Sequence, residues 1–127
     1  MKICLVVDDS RVVRKVARRI LEGLDFEIAE AGDGMEALVF CRAAMPDAIL
    51  LDWAMPVMDG LEFVTAVRAR PELRGVTLMM VTTESEHSQI VRALAAGAHE
   101  YVIKPFTADA IADKLALLGL LPTAVLG

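Results

Sequence analysis

A chain of 127 residues that is 56% apolar and 5% aromatic is sized for one compact domain with its own core. Its net charge of −5, from 13 Lys and Arg against 18 Asp and Glu, disfavours nucleic acid or an anionic membrane as a partner, and no apolar block reaches the roughly 18 residues of a membrane span. Acidic residues come too early for a signal peptide, so a single cytoplasmic domain over 1–127, acting as a monomer, is expected.

The first element is a nearly unbroken apolar run from Lys2 to Val7, the pattern of a strand covered on both faces, and it ends on Asp8 and Asp9. A helix follows, with Val13, Val16, Ala17, Ile20, Leu21 and Leu24 spaced along one face and Arg11, Arg14, Lys15, Arg18 and Arg19 on the other. Phe26 to Glu30 mixes polar with apolar residues, as a strand nearer an edge would. The next helix, about Met35 to Ala44, has Asp33 as its expected N-cap and Glu36 three residues on. Ala48 to Leu51 is a central strand ending on Asp52, and Met55, Pro56, Met58 and Gly60 shape the turn after it. A third helix runs from Leu61 to Arg70 and stops before Pro71. Val76 to Val81 is a central strand followed by Thr82, and Ser85 to Ala96 a helix with Glu84 and Glu86 at its start and Gly97 as C-cap. His99 to Ile103 is a flanking strand followed by Lys104, and Thr107 opens a last helix with Asp109 in its first turn. Residues 120–127 have no polar face and no caps and fit either a helix end or a tail.

Alternation of strand and helix five times predicts a doubly wound, five-stranded parallel α/β sheet, a (βα)5 flavodoxin-like fold with strand order 2-1-3-4-5. In such a sheet ligands bind at the carboxyl ends of the strands, where Asp8, Asp9, Asp52, Thr82 and Lys104 would all converge. Three carboxylates about 4 Å apart repel by roughly 4 kcal/mol per pair at a surface-like dielectric, so positive charge must join them. Hard oxygen donors suit Mg²⁺, with Mn²⁺ as the alternative, and Lys104 adds a fixed cation. A divalent ion, a lysine and a hydroxyl around one further carboxylate are the equipment of phosphoryl transfer, with that carboxylate as nucleophile. Cys4 and Cys41 lack the spacing of a zinc or redox motif and are expected to be buried thiols.

Four segments carry a resemblance: Leu5-Val-Val-Asp-Asp-Ser-Arg, Leu50-Leu-Asp-Trp-Ala-Met-Pro-Val-Met-Asp-Gly, Met80-Val-Thr-Thr-Glu and Gly97-Ala-His-Glu-Tyr-Val-Ile-Lys-Pro-Phe. In this order the chain resembles the receiver domain of two-component response regulators, of the stand-alone CheY-like type, from about Lys2 to Leu118. The resemblance implies that Asp52 is the phosphoacceptor for a histidine kinase or phosphotransfer protein. It implies that Asp8, Asp9, Asp52 and the Ala54 backbone carbonyl hold Mg²⁺, that Lys104 and Thr82 engage the phosphoryl group, and that Tyr101 changes rotamer in response. It implies a cis Lys104-Pro105 bond and chemistry confined to the chain's own phosphorylation and dephosphorylation. The output face would include His87, Ile90, Leu94, Tyr101 and Lys114, and kinases would dock on Arg11, Val12, Arg14 and Lys15. Ala54 departs from relatives that carry a polar side chain there. Thr83 is bulkier than the usual Ala or Gly and is expected to narrow access to Asp52.

Chemotaxis signalling through a flagellar motor switch leads among the outputs, with a phosphate sink, a stress-pathway phosphorelay or a phosphorylation-independent binding module as alternatives. A phosphohydrolase of the haloacid dehalogenase type would place its nucleophile after the first strand in a D-x-D pattern, whereas Asp8 and Asp9 are adjacent. An FMN-binding flavodoxin would need a first loop that welcomes phosphate, and here that loop carries two carboxylates. His87 and His99 are expected at the surface.

Overall fold

The computed structural model of the chain describes residues 2–83 and 87–121, and for His87 the backbone alone. Elements alternate as β1 (Ile3–Val7), α1 (Arg11–Glu22), β2 (Glu27–Ala31), α2 (Gly34–Ala43), β3 (Ala48–Asp52), α3 (Gly60–Arg68), a 3-10 turn (Pro71–Leu73), β4 (Thr77–Thr83), α4 (His87–Ala96), β5 (Glu100–Lys104) and α5 (Ala108–Leu117). The five strands are parallel in the order β2-β1-β3-β4-β5, the flavodoxin-like arrangement that the alternation predicts. Glu84, Ser85 and Glu86, expected at the start of α4, and residues 122–127 lie outside the described residues.

Side chains alternate across each strand, so the sheet has two apolar faces. Leu5, Val7, Ile49, Leu51, Leu78 and Met80 pack with residues of α2, α3 and α4. Cys4, Val6, Leu50, Val81 and Val102 pack with Ala17 and Leu21 of α1 and Ile111 and Leu115 of α5. Both cysteines are buried free thiols, and burial pushes Cys4 up to about 12 and Cys41 up to about 11.

Helix ends follow local chemistry. The Ser10 hydroxyl accepts from Val13 N and the Thr107 hydroxyl from Ala110 N. Asp33 caps α2 as expected, but the Glu36 side chain reaches Gly32 N rather than closing a box on Asp33. The complete capping box belongs to α3, where Asp59 and Glu62 satisfy each other's backbone N–H. Its Asp-x-x-Glu spacing is the sequence signal that marks it.

Within α1 the expected apolar stripe is narrower than its spacing. Ala17 and Leu21 are fully buried, but Val16 is 46% exposed. Each residue turns the helix by about 100°, so Val16 stands that far round from Ala17 and leaves the core. The basic side of α1 is partly structural. Arg14 Nε and Arg18 Nε bind the two oxygens of Glu30 at 2.9 and 2.7 Å, and Arg14 Nη1 donates to the Asp8 carbonyl at 2.6 Å. The hydrogen bond from Arg18 is the main reason the Glu30 carboxyl is held below its usual range.

At the amino edge of the sheet, Arg68 holds four segments together. Its guanidinium donates to the carbonyls of Gly97, Arg74 and Val76 and lies 3.3 Å from His99 Nδ1, which itself accepts from Leu78 N at 3.1 Å. His99 is at the surface as expected, yet its ring is engaged; burial and then the Arg68 charge lower its pKa. Gly97 has φ of 123°, and a Cβ there would sit 2.7 Å from Arg68 Cγ, so this helix C-cap must be glycine for two reasons.

Candidate functional site

Strand register builds the site. Val7 pairs with Leu51, which sets Asp8 beside Asp52 at the carboxyl ends of β1 and β3. Thr83 pairs with Lys104 across β4 and β5. Asp52, Thr82 and Lys104, expected just after their strands, lie within them: Asp52 and Lys104 close β3 and β5, and Thr82 stands one residue before the end of β4. Among the described residues Asp8, Asp52 and Thr82 are the buried polar ones, at 3, 6 and 3% exposure, while Asp9 is exposed.

Asp8, Asp9 and Asp52 each offer an oxygen, and the three oxygens lie within 4.8 Å of one another. Lys104 Nζ bonds Asp8 Oδ2 at 3.1 Å and Asp52 Oδ1 at 3.0 Å. Asp8 is further fixed by Ser10 N, which donates to Oδ1 at 2.8 Å. Burial is the largest influence on Asp52 and raises its pKa; the Lys104 hydrogen bond opposes this, but the charges of Asp8 and Asp9 push upward again and the net shift is upward. Burial pulls Lys104 down, and its hydrogen bonds to Asp52 and Asp8 outweigh that, so it remains a firm cation. Three ionised carboxylates and one ammonium sum to −2. An all-oxygen donor set with that residual charge fits a divalent hard cation such as Mg²⁺.

A cleft of about 350 Å³ opens over this cluster, lined by Asp9, Asp52, Trp53, Ala54, Thr82, Thr83, Gln89 and Lys104. The Thr82 hydroxyl donates to Gln89 Oε1 at 3.2 Å. Gln89 was not legible as a site residue, because nothing in local spacing ties an α4 side chain to the end of β4. The Arg92 guanidinium lies 5.8 Å from the centroid of Trp53, next to Asp52. In the loop after Asp52, Val57 has φ of 68° and bridges a hydrogen bond of 2.7 Å from Met58 N to the Pro56 carbonyl. A β-branched residue is strained in that left-handed turn. Val57 is also 77% exposed, so Val57→Asn should raise stability by about 1 kcal/mol, read as a shift in the urea midpoint with unchanged slope.

The remaining candidates are spread over two surfaces. Arg11, Val12 and Lys15 are exposed on α1, while Arg14 is tied down as described. Val12, Val13 and Val16 with Lys104, Pro105 and Phe106 line an apolar groove of about 400 Å³, and Lys104-Pro105 is cis as expected. On the other surface Tyr101 is half-buried, with the Lys114 ammonium 4.4 Å from its ring centroid and bonded to Glu100 Oε1 at 2.9 Å. Leu94 is exposed, but Ile90, expected on the output face, is buried at 7%, because it stands three residues before Ala93 on the inward side of α4. The His87 side chain lies outside the described residues.

A flavodoxin-like sheet with an acidic triad, a lysine and a threonine at its carboxyl edge is the arrangement of a receiver domain. The comparisons agree: residues 4–116 match the response regulator receiver domain, and the chain belongs to that family. It is of the CheY-like type. It is 40% identical over 116 residues to the chemotaxis protein CheY of Pseudomonas aeruginosa, covering 91% of this chain and 93% of that one. The chemotaxis protein CheY-3 of Vibrio cholerae is 38% identical over 116 residues, covering 91% and 88%. Among solved structures, the chemotaxis response regulator CheY4 of Vibrio cholerae superposes with a TM-score of 0.86 at 35% identity, covering 93% of this chain and 98% of that one. The receiver domain of a sensor histidine kinase from Pseudomonas aeruginosa, with a magnesium ion coordinated in its active-site cleft, gives 0.83 at 28% identity, covering 91% and 95%. No helix among the described residues is long and apolar enough to cross a membrane.

Proposed function

We propose that the protein is a response regulator that accepts a phosphoryl group on Asp52 from the phosphohistidine of a histidine kinase or phosphotransfer protein. The observation that carries this reading is the convergence of three carboxylate oxygens within 4.8 Å with Lys104 bonded to two of their residues. A carboxylate oxygen of Asp52 forms the new bond to phosphorus as the bond to the imidazole nitrogen breaks. Asp8, Asp9, Asp52 and the Ala54 carbonyl would hold Mg²⁺, which supplies charge neutralisation when bound. Lys104 then balances the phosphoryl charge while remaining within reach of Asp8.

Phosphorylation adds about −1.5 to −2 charges and three acceptor oxygens. Those acceptors draw in the Thr82 hydroxyl and the Lys104 ammonium, at the carboxyl ends of β4 and β5, and so bias α4, Tyr101 and the face formed with Lys114 of α5. That face is read as the contact for a downstream protein. Similarity to chemotaxis proteins favours chemotaxis and a flagellar motor switch target.

Trp53 reports on the site directly. Its fluorescence should change saturably with Mg²⁺ and again with beryllofluoride, a phosphoryl mimic; no response to either would overturn the reading in favour of a phosphorylation-independent binding module. The kinase is proposed to dock on α1 beside the groove lined by Val12, Val16 and Phe106. Arg11→Glu with Lys15→Glu should slow phosphotransfer from the kinase about tenfold at low salt, less at high salt, and leave phosphorylation by a small-molecule donor unchanged. Arg14→Glu is a poorer test, since it would place a carboxylate against Glu30.

A further inference from the structure

Gln89 lies on the wall of the acidic cleft and has no part in the cycle described so far. Strand alternation explains how it meets Thr82. Thr82 follows Leu78 and Met80, which face α2, α3 and α4, whereas Asp8, Asp52 and Lys104 continue the alternation of Val6, Leu50 and Val102 on the opposite face. The Thr82 hydroxyl therefore emerges on the α4 side, and there it donates to Gln89 Oε1 at 3.2 Å. The Thr83 carbonyl is a second acceptor at 3.4 Å. A hydroxyl has a single proton to donate. While Gln89 accepts it, an anion on Asp52 does not have it. One turn further on, Arg92 lies against Trp53, so the same side of α4 touches both the hydroxyl and the residue after the acceptor.

We propose that Gln89 is a positioning residue that holds Thr82 in its resting orientation, so that forming the phosphorylated state requires this hydrogen bond to break. The inference rests on the reading of Asp52 as phosphoacceptor. A phosphoryl oxygen is the stronger acceptor and wins the proton from a neutral amide oxygen. Gln89 then loses a tie between α4 and β4, which gives the helix a reason to move when the site is charged. Gln89 thus sets how readily the protein is switched on, and it does so from outside the charged cluster.

The test is a beryllofluoride titration at saturating Mg²⁺, read by Trp53 fluorescence. Gln89→Met keeps length and volume but cannot accept as the amide does, and it should tighten beryllofluoride binding about fivefold, the order expected for one neutral hydrogen bond. Gln89→Glu retains an acceptor and should not tighten it. In a Thr82→Val background Gln89→Met should have no effect, because there is no hydroxyl to release. Unchanged or weaker binding by Gln89→Met, tightening by Gln89→Glu, or equal tightening in the Thr82→Val background would overturn the proposal. A parent that gives no beryllofluoride response overturns the acceptor reading and this inference with it; a responding parent with an unresponsive Gln89→Met overturns this inference alone.

Discussion

Asp52→Asn should abolish phosphoryl acceptance and the beryllofluoride response, yet leave a metal-free protein more stable than the parent at pH 7. The functional loss follows from removing the nucleophilic oxygen and one of the three carboxylates proposed to hold the metal. The gain in stability follows from the raised pKa of Asp52. The folded protein holds this proton more tightly than the unfolded chain, so the cost of the ionised carboxylate is fully present above the folded pKa. It fades as pH falls through that value towards 3.8, the ordinary value. The variant should therefore gain about 1 kcal/mol at neutral pH, the order of a typical single substitution, and the gain should shrink in acid. Saturating Mg²⁺ should reverse the ranking, since a ligand at 100 times its Kd stabilises by about 2.7 kcal/mol and the variant binds it less well. Urea unfolding with chelator and with Mg²⁺, at pH 7 and in mild acid, measures all of this. A variant less stable than the parent in chelator would contradict the account of Asp52 as a carboxylate strained by burial and by its acidic neighbours.

Gly60→Ala should be the most damaging single-methyl change in the loop after Asp52. A Cβ at Gly60 would lie 2.6 Å from the Asp52 carbonyl oxygen, 3.0 Å from Trp53 Cα and 3.0 Å from Met80 Sδ. The sulfur can move, but the two backbone atoms cannot do so cheaply. Trp53 N donates to the Val81 carbonyl and Gly60 N to the Trp53 carbonyl, which locks that backbone from both sides. Destabilisation of about 2 kcal/mol is expected, within the range for overpacking, along with weaker Mg²⁺ and beryllofluoride responses because Asp52 is displaced with its own backbone. Urea unfolding and Trp53 fluorescence separate the two effects. Unchanged stability would mean that the α3 N-terminus stands further from β3 than described.

Sheet order and the acidic site were legible because each rests on a local pattern. Apolar blocks mark the strands, and Asp8, Asp9, Asp52, Thr82 and Lys104 stand at their carboxyl ends, so topology alone gathers them. What escaped depends on distance in sequence or on small angles. Gln89 on α4 reaches Thr82 on β4, and Arg68 reaches His99 from 31 residues away. Val16 satisfies a helical spacing while standing too far round α1 to be covered, and Ile90, which the resemblance puts on the output face, is turned to the inward side of α4. The left-handed turn at Val57 carries no glycine or asparagine to announce it.

The Arg68 clamp has a mechanical consequence. It binds the entry ends of β4 and β5 through three carbonyls and an imidazole nitrogen, none of which changes charge when Asp52 does. At their other ends the same two strands carry Thr82 and Lys104, whose partners do change. The two strands stay laddered to each other up to those ends, so the pair resembles a plank fixed at one end and loaded at the other. What loads one strand at the site therefore loads both, at the end away from the anchor.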